Sequence, residues 1–167
     1  CPQTNNQKIF VGDFNGDGSD DLLCHNSLGE SMINYSEGEG KFNITTWSRS
    51  NSWCKLSSTL QLVVGDFNGD QRSDLLCHSR SSGKIWIDFA NIQGNFYSTD
   101  WYSNTDPSFC VRENEKLLVG DYNKDGVEDL GCFSMTEGYF SQMFGRSSNK
   151  LVDELYFEGL TWKNDKL

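Results

Sequence analysis

One acidic motif occurs three times in this chain. It reads Gly-Asp-Phe-Asn-Gly-Asp-Gly-Ser-Asp-Asp-Leu from Gly12, Gly-Asp-Phe-Asn-Gly-Asp-Gln-Arg-Ser-Asp-Leu from Gly65 and Gly-Asp-Tyr-Asn-Lys-Asp-Gly-Val-Glu-Asp-Leu from Gly120. Oxygen-bearing side chains stand at alternate positions of a tight loop, the arrangement a protein uses to wrap a hard cation such as calcium. Three copies at a period of 53 and then 55 residues make the chain an array of one supersecondary unit.

Other residues keep the same spacing. With Asp13, Asp66 and Asp121 as register marks, cysteines follow at Cys24, Cys77 and Cys132 and precede at Cys1, Cys54 and Cys110. Glycines recur at Gly29, Gly83 and Gly138, aromatics at Tyr35, Phe89 and Phe144, and a tryptophan closes each unit at Trp47, Trp101 and Trp162. The last interval is longer in the third unit, which places an insertion around Arg146 to Lys150. Short apolar runs such as 8–11, 60–64 and 116–119 read as strands entering each loop. Residues 21–24 and 74–77 read as strands leaving it, 32–35 and 85–89 as third strands, and 42–47 and 96–101 as fourth strands. No amphipathic helix is visible. The expectation is one all-β domain, 1–167, of three four-stranded blade-like units at about 1–53, 54–109 and 110–167. A propeller-like or trefoil-like body around a pseudo-threefold axis would accommodate them.

The net charge of −10 is concentrated in these loops, and three divalent ions would bring it to about −4. Metal binding therefore accounts for most of the acidity, which argues against nucleic acid or an anionic membrane as partner. No run approaches the roughly 18 apolar residues of a membrane span. Six cysteines in register predict disulfides and an oxidising, extracellular setting. Two pairings respect the repeat. Cys1–Cys24, Cys54–Cys77 and Cys110–Cys132 staple each unit, whereas Cys24–Cys54 and Cys77–Cys110 link neighbours and leave Cys132 to reach Cys1. The first set is preferred because it needs no ring closure; each bridge would contribute about 3 kcal/mol. Sequons at Asn34 and Asn43 agree with secretion.

The expected ligands are Asp13, Asn15, Asp17, the carbonyl of Ser19 and Asp21 in the first loop. The second offers Asp66, Asn68, Asp70, the carbonyl of Arg72 and Asp74. The third offers Asp121, Asn123, Asp125, the carbonyl of Val127 and Asp129. Three calcium ions, one per repeat, are the implied cofactors, since an oxygen-only set favours calcium over zinc or copper. Gly18 and Gly126 stand where the turn needs positive φ; Gln71 replaces glycine there and predicts the weakest site in the second loop.

The pattern Asp-x-Asn-x-Asp-Gly-x-x-Asp-Leu between two strands resembles the FG-GAP/VCBS repeats of integrin α-subunit propellers and related secreted proteins. The resemblance covers all three units and implies blades with calcium between their first two strands, at the residues just named. Similar repeats occur in some lectins, and family propellers usually have seven blades, so a self-contained threefold body, a ring shared between chains and a fragment all stay open.

No nucleophile–base–orienter set is present, so no enzymatic activity is expected. His25 and His78 read as packed rings because the third unit has Phe133 at that position. The calcium reads as structural. Two functions remain: a secreted calcium-stabilised lectin with repeated weak sites, or an extracellular protein-binding adhesion module of integrin-like type. Partners would be glycans or extracellular proteins, with room for oligomerisation. Candidate ligand residues are Trp53 and Trp86, which break the threefold register, with Asp88 and Asn34 nearby.

Overall fold

In a computed structural model, residues 6–44, 47–97, 99–103, 109–145 and 158–162 are described, the last segment by its backbone. They form an all-β array of three four-stranded antiparallel sheets. The first contains β1 (Lys8–Gly12), β2 (Asp21–His25), β3 (Glu30–Asn34) and β6 (Trp47–Ser50), with a small ribbon of β4 (Ser36–Gly38) and β5 (Lys41–Phe42) inserted. The second contains β7 (Leu60–Gly65), β8 (Asp74–Ser79), β9 (Ile85–Asp88) and β10 (Trp101–Tyr102). The third contains β11 (Glu115–Gly120), β12 (Asp129–Ser134), β13 (Phe140–Phe144) and β14 (Glu158–Trp162). The strands pair in sequence order because short loops join antiparallel neighbours.

Each sheet alternates side chains between two faces, and in the second sheet both are covered. Leu62, Leu75 and Cys77 pack with Phe14, Leu23 and Ile33 of the first sheet, forming one core. Leu76, Ile85 and Ile87 pack with Leu130, Cys132 and Met143 of the third, forming the other. The sheets thus stack one on the next. Among the described residues no core joins the first sheet to the third and no sheet closes on itself, so the array carries the expected all-β units without confirming a threefold arrangement.

In the first two sheets the fourth strands begin at the tryptophan, Trp47 and Trp101, where the sequence placed their ends. Phe96, expected in a strand, instead plugs the first core, edge-on to Phe14 and Trp47 at 5.8 and 5.7 Å. Burying a ring there stabilises more than extending a short edge strand would. In the third sheet Leu160 pairs with Gln142, the position that Trp47 opposite Ile33 and Trp101 opposite Ile87 hold in the others. Trp162 lies opposite Phe140, so the third tryptophan is out of structural register. The insertion expected at 146–150 lies outside the described residues.

Cys54 is bonded to Cys77 and Cys110 to Cys132, as the preferred pairing has it. Cys24 is also disulfide-bonded, and its expected partner Cys1 lies outside the described residues. Each bridge ties the chain entering a sheet to that sheet's second strand. No helix among the described residues is long and apolar enough to cross a membrane.

Candidate functional site

The three acidic loops share one hydrogen-bond pattern. In the first, Asp13 Oδ1 accepts from the backbone N–H of Gly16 at 2.7 Å and of Asp17 at 3.1 Å, and Oδ2 from Gly18 at 2.7 Å. Asn15 Oδ1 accepts from Asp17 N and Asp17 Oδ1 from Ser19 N. Asp66, Asn68 and Asp70 repeat this in the second loop, and Asn123 and Asp125 in the third; Asp121 accepts from Asp125 and Gly126. Short Asx side chains closing on nearby backbone donors hold the turn open around its oxygens.

The last aspartate of each loop has a second task. Asp21 Oδ2 accepts from Phe14 N at 3.0 Å while Oδ1 accepts from Ser36 N at 2.8 Å, beyond the third strand. Asp74 does the same for Phe67 and Ala90, and Asp129 for Tyr122 and Gly145. All three are fully buried, and burial first, with the loop's other carboxylates adding, pushes their carboxyls above the usual range. The donor set is all oxygen, and a cation would relieve this crowding of negative charge, so the residues fit calcium by chemistry. They are not fully gathered, however. Among the described residues, the one trio of such ligand atoms within 4.8 Å of one another is Cys110, Glu115 and Cys132, whose cysteines are joined in a disulfide.

Two left-handed positions occur per loop, one more than the sequence suggested. The first loop fills both with glycine, Gly16 and Gly18. The second uses Gly69 and Gln71 (φ 67°), the third Lys124 (φ 61°) and Gly126. Backbone strain therefore falls equally on the second and third loops. The second carries a further handicap: the Arg72 guanidinium is ion-paired with Asp70.

A different site lies between the first two sheets. Ser52, Trp53, Cys54, Leu60, Cys77, Trp86 and Thr99 line an open cavity of about 250 Å³. Both register-breaking tryptophans are in it. Trp53 donates from Nε1 to Thr99 Oγ1 at 2.8 Å, which fixes its ring. Behind it, the Arg49 guanidinium lies 5.0 Å from the Trp53 ring and 5.6 Å from that of Trp47, and is ion-paired with fully buried Asp88. Asp88 is not among the residues that line the cavity. Asn34 is elsewhere, donating to the carbonyl of Asn43 at 2.7 Å.

The cavity does not repeat threefold with these residues. Trp86 pairs with Cys77, where Met32 pairs with Cys24 and Ser141 with Cys132. Trp53 precedes Cys54 as the buried Phe109 precedes Cys110. A second cavity of similar size, lined by Gln7, Cys24, Met32 and polar residues including Asn26 and Glu30, holds the corresponding place on the first sheet.

The histidines, read as packed rings, are indeed fully buried, but they also join sheets. His25 Nε2 and His78 Nε2 donate to the carbonyls of Cys54 and Phe109. The substitution of Phe133 in the third unit was the sequence signal: among the described residues, no further sheet follows there.

Residues 13–77 match the FG-GAP-like repeat family. No curated protein sequence matches the chain. Among solved structures the fold is similar to a lectin from Agrocybe aegerita, described by its specific recognition of non-reducing terminal N-acetylglucosamine. The TM-score is 0.68 at 19% identity, over 93% of this chain. The chain spans 38% of that lectin's length, so the likeness establishes a shared fold.

Proposed function

We propose that this chain is a secreted, calcium-stabilised carbohydrate-binding module whose principal ligand site is the Trp53–Trp86 cavity. The observation that carries this reading is the convergence of two tryptophans with Ser52 and Thr99 in the lining of one open cavity of about 250 Å³. A pyranose offers apolar C–H faces and hydroxyl edges, which aromatic rings and small polar groups match. Two disulfides among the described residues and the similarity to FG-GAP repeats support an extracellular setting. Calcium, held at the three acidic loops, would supply charge compensation and rigidity, leaving the tryptophans to make the ligand contacts.

The reading is tested by titrating monosaccharides against intrinsic fluorescence. A saturable change, reduced at least about tenfold in affinity by Trp86→Ala, is expected. Binding untouched by that substitution would contradict it. The adhesion-module reading draws on one observation: Ile92 and Tyr97 are 74% and 70% exposed on the 91–97 segment, an apolar contact area suited to a protein surface.

A further inference from the structure

The two outward faces of the array carry the halves of a junction that the chain makes twice internally. At the first internal junction Ser73 N donates to Asp13 O at 2.7 Å. At the second Glu128 N donates to Asp66 O at 2.8 Å. Each donor sits one residue before the last aspartate of its loop, and each acceptor is the first aspartate of the preceding loop. Gly12 and Gly65 permit this approach: a Cβ on Gly12 would fall 2.6 Å from Ser73 Oγ, and one on Gly65 would overlap Glu128. Among the described residues, the unmatched members of the series are the N–H of Asp20 at one end of the array and the carbonyl of Asp121 at the other. At Gly120, the third glycine, the atoms nearest an added Cβ belong to Tyr122 of its own loop, at 3.5 Å.

The apolar positions tell the same story. Leu62 and Val64 of the second sheet are covered by the first, and Leu117 and Val119 of the third pack on the second. Their counterparts in the first sheet, Ile9 and Val11, are 61% and 55% exposed. Phe14 and Phe67 are fully buried in the two internal junctions, whereas their counterpart Tyr122 is 39% exposed beside Leu118 at 43%. Charge is also complementary. A Cβ on Gly16 would lie 3.1 Å from the stem of Arg72 in the next sheet. The same juxtaposition between the outward faces would set Lys124, which replaces Gly16, against the Ser19–Asp20 segment.

We propose that these faces bind each other between two copies of this chain, head to tail, the first sheet of each packing on the third sheet of the other in a two-fold pair. A second copy is the partner because one surface of this chain supplies the donor, the apolar residues and the negative charge, and another supplies the acceptor, the apolar residues and the positive charge. A head-to-tail contact repeated by a two-fold axis closes on itself and leaves neither face exposed.

The test is sedimentation of the full chain at tens of micromolar, in calcium. The wild type is expected at twice the chain mass, and Val11→Glu or Leu118→Glu, each folded by near-ultraviolet circular dichroism, at the mass of one chain. Mixing these two variants restores one intact junction and a two-chain species; this complementation is specific to head-to-tail contact. If Val11→Glu disturbs folding, Lys124→Glu replaces it as the probe, and Asp20→Lys in the same chain should restore the pair. A wild type that stays a single chain overturns the proposal. So does a Leu118→Glu variant that still pairs, since that would place like faces together, and so does an open series of growing assemblies.

Discussion

His25 Nε2 lies 2.8 Å from the carbonyl oxygen of Cys54, and this bond joins the first sheet to the start of the second. His78 makes the same bond to Phe109 at 2.9 Å. In each the Nδ1 accepts, from Ser31 Oγ–H at 2.7 Å and from Gln61 Nε2–H at 3.1 Å, so both rings are held neutral. Burial, the largest cause, pushes both imidazoles below the usual 6.5. The unfolded chain therefore takes up protons first. Stability present above about pH 6.5 is lost as pH falls from there through the lowered folded values. The buried Asp21, Asp74 and Asp129, whose carboxyls are raised, act in the opposite direction, so the histidine contribution is read by comparing melting temperatures of the wild type and a His25→Phe/His78→Phe variant in EDTA. The variant, though less stable, should lose less than the wild type as pH falls from about 6.5.

Asp74 separates a structural role from a metal-binding one. Its two oxygens accept from Phe67 and Ala90, so Asp74→Asn leaves one buried N–H facing an amide. A loss of about 1–3 kcal/mol is expected in urea unfolding even in EDTA, and in calcium the weakened second loop adds to it. Asp17 is exposed and bonds only within its own loop, so Asp17→Asn should matter chiefly in calcium.

Gly29 supports the segment that carries Trp53. Its φ is +79°, and a Cβ would lie 2.5 Å from the Ser52 carbonyl carbon and 2.6 Å from the Trp53 oxygen. Gly38 has φ +78° with open space around it, so Gly38→Ala measures the backbone cost alone, about 1 kcal/mol. Gly29→Ala should cost at least about 1 kcal/mol more and weaken ligand binding at the cavity, read by thermal unfolding and fluorescence titration.

Gln71 and Lys124 are the non-glycine residues at left-handed positions of the acidic loops. Gln71→Gly and Lys124→Gly should each tighten calcium at their own loop by roughly three- to fivefold, from about 1 kcal/mol of relieved strain. Calorimetric titration resolving the sites would show this. Equal affinities before and after would remove strain as the factor ranking the loops.

The repeat, the β class, two disulfides and the tight turn of each acidic loop were legible because each depends on local spacing. Asp-x-Asn-x-Asp fixes a turn by bonds within five residues, and Cys54 meets Cys77 within one unit. The stacking was less legible because it depends on contacts between units. Nothing local marks Phe96 as a plug for the first core, or Asp74 as the tie to Ala90. Trp162 misled because spacing in sequence was taken for register, while the longer third connection shifts β14 by two residues against Gln142. Trp53 and Trp86 were found by their departure from the repeat. Their shared cavity required the fold to bring Ser52 and Thr99 beside them.

The most direct test of the central claim is a glycan array probed with the full chain in millimolar calcium and again in EDTA. The account predicts binding to a coherent family of sugars in calcium, loss of that binding with chelation, and loss with Trp86→Ala in a protein that remains folded. A blank array from folded, calcium-loaded protein would contradict it and leave a protein ligand as the reading to pursue.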